Sequence, residues 1–302
     1  MKTCIIFNPT ARGDKARKFR NHLDSLASFA TLKPSTAPGH ARALAAEAVH
    51  AGFELIVAAG GDGTVNEVLN GIGDVPEAFS RVRLGVLPLG TINVLALELG
   101  IPTNLAAACK ALQSGREILI DLPQIDFLTP GKTTPRLFTQ MAGFGWDARA
   151  VELVDWPLKK KIGRFAYVVA ALQAMRQPLP EITVSDGARS LTGQFVIVGN
   201  GRFYGGRWAL CPQAAWDDGL LEVTVFPRAT WGAIIRGGAA LLLNRLRSLG
   251  GVQFLRAPAL ELTSRPLTSA ATPAPVQVDG EYAGTLPARC SLRPRCLRLV
   301  VP

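Results

Sequence analysis

The chain lacks the cysteine pattern of a disulfide framework or a zinc site. Its five cysteines, Cys4, Cys109, Cys211, Cys290 and Cys296, lie far apart and form no CxxC pair. An odd number of scattered thiols points to a reducing compartment such as the cytoplasm. Also missing is any uncharged apolar run of about 18 residues, so no membrane-spanning helix is expected. The opening MKTCIIFNPTARG carries too short an apolar stretch for a secretory signal and reads as a first strand. No recognition helix or aromatic-rich binding strand is present, which argues against a nucleic-acid partner. There is no internal repeat.

What is present is an ordinary globular composition, 48% apolar and 19% charged over 302 residues, enough for two domains. The net charge of +10 is uneven. Residues 1–150 hold 15 Lys/Arg against 13 Asp/Glu, and residues 151–302 hold 18 against 10. A basic surface of this kind suits an anionic partner, or none in particular.

The first third alternates strands and helices. Cys4–Phe7, Glu54–Ala59, Leu84–Leu87 and Ile118–Leu122 read as buried strands. Ala16–Leu26, Ala41–His50, Val65–Ile72 and Leu105–Leu112 have helical spacing. This rhythm predicts a mostly parallel sheet covered by helices. From about residue 123 strands follow one another at Phe138–Ala142, Glu181–Ser185, Gln194–Val198, Leu221–Phe226, Leu260–Thr263, Val276–Val278 and Arg298–Val301. They predict an antiparallel β-sandwich or barrel, interrupted by helices near 159–176 and 230–246, with 264–275 a loop between two strands or a flexible linker. The expected fold class is α/β plus β. The expected domains are 1–122 and 123–302, with the last strand returning to the first domain.

The segment AAGGDGTVNEVLNGI follows a strand and opens a helix. Gly60, Gly61 and Gly63 let backbone amides approach a ligand, and the helix start points its positive end at the same spot. That arrangement cradles phosphate. Asp62 would repel phosphate unless Mg2+ bridged the two, and Thr64 caps the helix or binds a phosphate oxygen. A plain glycine-rich turn capped by Asp62 is the bland alternative. The loop has neither the GxxxxGK[ST] nor the GxGxxG pattern.

GGDGT-x-NE, including Asn66 and Glu67, resembles the signature of the diacylglycerol kinase catalytic-domain superfamily. IIFNPTARG is similar to that family's first motif, with Asn8 facing the nucleotide. LGVLPLGTINV resembles its PxGTxN motif, placing Gly90, Thr91 and Asn93 across the cleft. VQVDGEYAG resembles its DGE motif, whose Glu is the proposed general base, Glu281 here. Taken alone, these are respectively an Asn-Pro turn, a turn with Thr91 as N-cap, and an Asp-Gly hairpin with a turn carboxylate. Thr36 and His40 resemble the family's T-x(n)-GHA stretch near the nucleotide, although His40 by itself reads as a surface helix start.

The resemblance spans essentially the whole chain. It implies ATP as co-substrate with Mg2+, and a lipid hydroxyl as acceptor. It also implies a structural magnesium at Asp218 with the carbonyls of Ala215 and Leu220, from the segment NGRFYGGRWALCPQAAWDDGLLEV, and an active-site aspartate at Asp121. On their own Asp217–Gly219 is an Asp-rich turn and Asp121 a strand-end residue. Two departures stand out: Val94 replaces an Asp common after the family's GTxN, and Arg207 interrupts a glycine run. They bear on which lipid is phosphorylated.

WPLKKKIGRFAYVVAALQAMRQ, with Lys159, Lys160, Lys161 and Arg164, and WGAIIRGGAALLLNRLR are basic, apolar segments. They suit either an anionic membrane surface or a core helix with a solvated end. The expected enzyme is thus a peripheral lipid kinase making phosphatidic acid from diacylglycerol. Sphingoid-base kinase, NAD kinase and a non-catalytic lipid- or nucleotide-binding regulator are the alternatives, and a homodimer is an option for its assembly.

Overall fold

The computed structural model describes residues 2–9, 11, 14–155, 165–265 and 272–302. Strands β1 (Thr3–Phe7), β2 (Thr31–Pro34), β3 (Leu55–Gly60) and β4 (Arg83–Pro88) run parallel in the order β2-β1-β3-β4. β1 and β3 are buried at every position because helices cover both faces of the sheet. On one face lie α3 (His40–His50), α4 (Asp62–Gly73), α5 (Ala78–Arg81) and α6 (Val94–Glu98). On the other lie α1 (Asp14–Arg20), α2 (Leu23–Ala27) and α7 (Leu105–Ser114).

Two long strands tie this half to the next. β5 (Arg116–Thr129) pairs antiparallel with β18 (Ala288–Val301) along nearly their whole lengths. The other edge of β18 pairs first with β15 (Ala259–Arg265) and then, past a bulge between Arg293 and Leu297, parallel to β4. The last strand does return to the first sheet. β5 runs without a break through the boundary expected at 122/123.

The second half is an antiparallel sandwich. One layer continues the first sheet through β15, β8 (Glu181–Ser185) and β9 (Ser190–Gly193), with β6 (Lys132–Leu137) flanking β5. The other has the order β14 (Gln253–Ala257), β13 (Leu221–Phe226), β10 (Phe195–Gly199), β7 (Met141–Gly145), β16 (Pro275–Val278), β17 (Glu281–Thr285). Alternate residues such as Phe144, Val196, Val223 and Val276 meet Ile125, Ile182, Leu262 and Cys290 in the core between the layers. The outer face of the six-stranded sheet carries α8 (Trp146–Glu152), α10 (Trp231–Leu242) and the hairpin β11 (Phe203–Tyr204)–β12 (Trp208–Ala209), with α9 (Phe165–Ala174) packed on α8.

The α/β plus β architecture expected from sequence is the one observed. Details differ. Phe138–Ala142 was expected as one strand, but β7 begins at Met141, because the amides of Thr139, Gln140 and Met141 turn onto a carboxylate instead of a neighbouring strand. Strands β2, β6, β9, β14 and β17 and the β11–β12 hairpin are not read from the sequence, being short or largely polar. Lys159, Lys160, Lys161 and Arg164 lie outside the described residues, as do residues 266–271 of the 264–275 loop. No helix among the described residues is long and apolar enough to cross a membrane.

The packing of α3 on α4 yields a test. A Cβ on Gly71 would stand 2.1 Å from the carbonyl oxygen of Arg42 and 2.8 Å from Ala45 Cβ. In an open helix Gly→Ala stabilises by about 1 kcal/mol, but Gly71→Ala is predicted to destabilise by about 1–3 kcal/mol, measured by urea unfolding.

Candidate active site

The carboxyl ends of the four parallel strands share one edge, where ligands of open α/β sheets bind. Asn8 follows β1, Thr36 follows β2, Gly60 ends β3, and Leu89–Asn93 follow β4. Registers of Phe7 with Ala59 and of Gly60 with Pro88 set Asn8 beside the glycine loop and the two later loops side by side.

Glycine is needed at this edge for contact between the loops. A Cβ on Gly90 would lie 2.5 Å from Gly61 Cα, and one on Gly60 would lie 2.3 Å from Thr64 Oγ1. The amides of Leu89 and Gly90 both donate to Gly60 O, at 2.9 and 3.3 Å. Asn93, left-handed at φ 58°, bonds Gly90 twice through its amide, at 2.9 Å to the N–H and 2.7 Å to the carbonyl. Gly61 is the N-cap of α4 and no side chain caps that helix, so its positive end opens at the loop.

Asp62 does something the sequence did not suggest. Its carboxylate faces the backbone N–H groups of Val94, Leu95 and Asn93 at the start of α6. Burial raises its pKa, those groups oppose the shift, and the charge of Asp279 adds to it. These amides oppose the shift only in part, so the charge of Asp62 still suits a bridging cation. Glu67 is likewise a cap: its two oxygens accept from Gly39 N (3.0 Å) and Ala41 N (3.1 Å) at the start of α3. Thr36 bonds His40 Nδ1 through N–H and hydroxyl, at 3.0 and 2.9 Å, in the turn before that helix.

The opposite wall comes from the sandwich. Asp279 and Gly280, with φ of 48° and 87°, form the two-residue turn between β16 and β17. The Asp279 carboxylate accepts from Thr139 N (2.9 Å), Gln140 N (2.9 Å), Met141 N (3.1 Å), Thr139 Oγ1 (3.2 Å) and Asn66 Nδ2 (3.0 Å). Asn66 and Asn70 of α4 also donate to Leu137 O, at 3.1 and 3.0 Å. The turn is thereby fastened to α4, and the residue after it, Glu281, projects over the glycine loop. A Cβ on Gly63 would meet Glu281 Oε1 at 2.4 Å. Glu281 Oε2 accepts from Arg136 at 3.0 Å, and Arg136 also reaches Asn66 Oδ1 at 3.1 Å.

A second bolt joins the halves. Glu98 of α6, its side chain buried, accepts from the N–H groups of Arg202 and Phe203, from Arg202 Nε and from Gln140 Nε2. Asp121 is a buried knot. It accepts from Gly219 N and Arg295 N, both at 2.7 Å, and fixes the bulge of β18.

The magnesium site expected at Asp218 does not fit what surrounds it. Asp218 is ion-paired with Arg256, and its other oxygen accepts from Leu220 N at 3.0 Å. A guanidinium stands where a cation was expected, and both oxygens of Asp121 are taken by backbone donors. Ala215 and Leu220 are half-buried in the same turn. Among the described residues no group of three or more His, Cys, Asp or Glu side chains is placed to hold a metal.

The structure therefore gathers Asn8, Gly60–Thr64, Asn66, Gly90–Asn93 and Glu281 around one cleft. It sets Thr36, His40 and Glu67 at its flank, and Asp121 and Asp218 in a separate knot. Sequence reasoning missed Arg136, Asn70, Glu98 and the binding role of Asp279. Only Asp279 carried a signal, as the first residue of DGE.

Sheet, paired glycine loops and facing carboxylate define the diacylglycerol kinase catalytic-domain type. The diacylglycerol kinase catalytic domain matches residues 2–125, and the YegS C-terminal NAD kinase beta sandwich-like domain matches residues 140–301. A protein named "Probable lipid kinase YegS-like" from Stenotrophomonas maltophilia is 32% identical, over 95% of this chain and 96% of its own length. One of the same name from Pseudomonas aeruginosa is 36% identical, over 87% and 82%. The chain belongs to this YegS-like lipid kinase family. Two solved structures share its fold. A diacylglycerol kinase from Bacillus anthracis has TM-score 0.74 at 22% identity, covering all of this chain and 97% of that one. The yeast NADH kinase complexed with NADH has TM-score 0.58 at 11% identity, covering all of this chain and 84% of that one.

Two tests follow from acids that accept several hydrogen bonds. Asp279→Ala strands three backbone donors and is predicted to cost about 2–4 kcal/mol in urea unfolding. Asp147 of α8 is buried and bonded by Tyr204 Oη and by Gln277 Nε2 (2.8 Å). Burial pushes its carboxyl up to about 6, against the lowering effect of those bonds. With the folded value above the unfolded one, the folded state holds the extra proton between roughly pH 4 and 6, so stability falls as pH rises through that window. Asp147→Asn is predicted to remove about 3 kcal/mol from the difference in unfolding free energy between acidic and neutral pH.

Proposed function

We propose that the chain transfers the γ-phosphoryl group of ATP, with Mg2+, to the hydroxyl of a membrane lipid, with diacylglycerol the acceptor and phosphatidic acid the product. The observation that carries this reading is the Glu281 carboxylate against Gly63, at the uncapped start of α4. A phosphate chain held by the Gly60–Thr64 loop, with Thr91 and Asn8 beside it, would present its end to that carboxylate.

Each residue then has a task. The α4 amides bear phosphate charge. Asp62 holds the Gly90–Asn93 loop in register with Gly61. Arg136 fixes Glu281 Oε2 and leaves Oε1 towards the loop. Glu281 takes the proton of the lipid hydroxyl as the new O–P bond forms and the bond to the β-phosphate oxygen breaks, releasing ADP.

Asp62 and Glu281 carry hard oxygen donors on the cleft, and no dedicated cage is built from them among the described residues. That suits a magnesium ion carried mainly by nucleotide phosphates, and such an ion would neutralise charge on the group in transfer. Val94, opening α6 in place of an acidic side chain, keeps a sphingoid or other lipid alcohol as the second reading.

Transfer from labelled ATP to a panel of micellar lipids, with NAD as soluble acceptor, tests the assignment. Diacylglycerol is expected to be labelled. Glu281→Gln is expected to lower kcat by at least about 100-fold with little change in KM for ATP. Labelling of NAD alone, or an undiminished Glu281→Gln enzyme, contradicts the reading.

A further inference from the structure

Helices on a protein surface normally bury their large apolar side chains and expose the small or polar ones. α10 does the reverse. Gly237 and Ala240 face the six-stranded sheet, and a Cβ on Gly237 would already press on Phe226 at 3.3 Å. Trp231, Ile235, Leu242 and, just past the helix, Leu243 face outward, with Ile235 69% and Leu242 68% exposed. α9 repeats the inversion, with Ala166, Ala170 and Ala174 buried and Val168 and Leu172 exposed.

The two helices belong to one side of the molecule. Trp146, which opens α8, donates Nε1–H to Ala171 O of α9 at 3.0 Å and packs edge-on against Phe195. Phe195 stacks on Phe226, the residue beneath Gly237 of α10. Exposed Trp208, on β12 beside α10, extends the apolar surface. Charge is one-sided as well. Residues 227–251 contain Arg228, Arg236, Arg245 and Arg247 and no acidic residue.

We infer that the outward face of α10, continued by α9 and Trp208, inserts into the interfacial layer of an anionic lipid bilayer. Large apolar side chains enter the acyl boundary while Arg236 and Arg245 meet lipid phosphates. A second copy of the chain is the less suitable occupant. A two-fold interface would set this acid-free, arginine-bearing patch against itself. The inference rests on the lipid-kinase reading for its purpose. The same six-stranded sheet carries Glu281 on its far edge strand β17, so docking face and candidate base share one rigid layer.

The test is co-sedimentation of the full chain with vesicles of phosphatidylcholine alone and of phosphatidylcholine mixed with phosphatidylglycerol. Wild type is expected to bind the mixed vesicles more tightly, and salt to weaken that binding. Ile235→Asn with Leu242→Asn is expected to weaken it roughly 100-fold. Arg236→Gln with Arg245→Gln is expected to weaken it roughly thirty-fold on mixed vesicles only. These exposed changes should leave the melting temperature and turnover on a detergent-solubilised acceptor unchanged. Equal vesicle binding by the Asn pair and wild type overturns the inference. So does a wild-type dimer that the Asn pair turns into a monomer with vesicle binding intact, which assigns the face to copy–copy contact. Binding that depends on this face in a chain that phosphorylates no lipid supports the docking surface and refutes the kinase assignment instead.

Discussion

One carboxylate holds the two halves in their working relation. Asp279 collects three consecutive amides, a hydroxyl and the Asn66 side chain, and so bends the chain at Thr139–Met141, starts β7 and pins the β16–β17 turn to α4. Without it Glu281 would be an exposed turn carboxylate with no relation to the glycine loop. With it, a residue late in the chain stands within contact of Gly63.

The cleft is otherwise made by backbone. Parallel strands end together, glycines let their loops touch, and the start of α4 supplies the positive end of a dipole. Most of its charged side chains are spent on position: Asp62 on α6, Glu67 on α3, Glu98 on the Arg202–Phe203 amides. Glu281 keeps a carboxylate oxygen turned toward the phosphate loop, and Arg136 holds the other. That division of labour suits phosphoryl transfer, where the protein mainly positions reactants and stabilises charge.

The loops were legible in the sequence because backbone geometry is written locally. Glycines after an apolar strand, the GTIN turn and the Asp-Gly hairpin each need particular residue types at fixed spacing, and each was found in place. Partnerships were less legible. Asp218 invited a cation, yet Arg256 answers it, and no local pattern announces that pairing. Arg136 sits in a polar, unremarked strand and matters only because β6 passes beneath α4. The β5–β18 ribbon was hidden too, since pairing residues some 170 positions apart leaves no trace in periodicity. The inverted helices show the opposite failure: their composition was read as basic and apolar, but which side faced water needed the sheet beneath them.

The most direct test is a crystal structure of the chain with a non-hydrolysable ATP analogue. The account predicts the terminal phosphate between the Gly60–Thr64 loop and Glu281, with the Asp279 bonds intact and Asp62 still on the start of α6. A nucleotide bound elsewhere, or one that enters only by parting the Asp279 turn from α4, would contradict it.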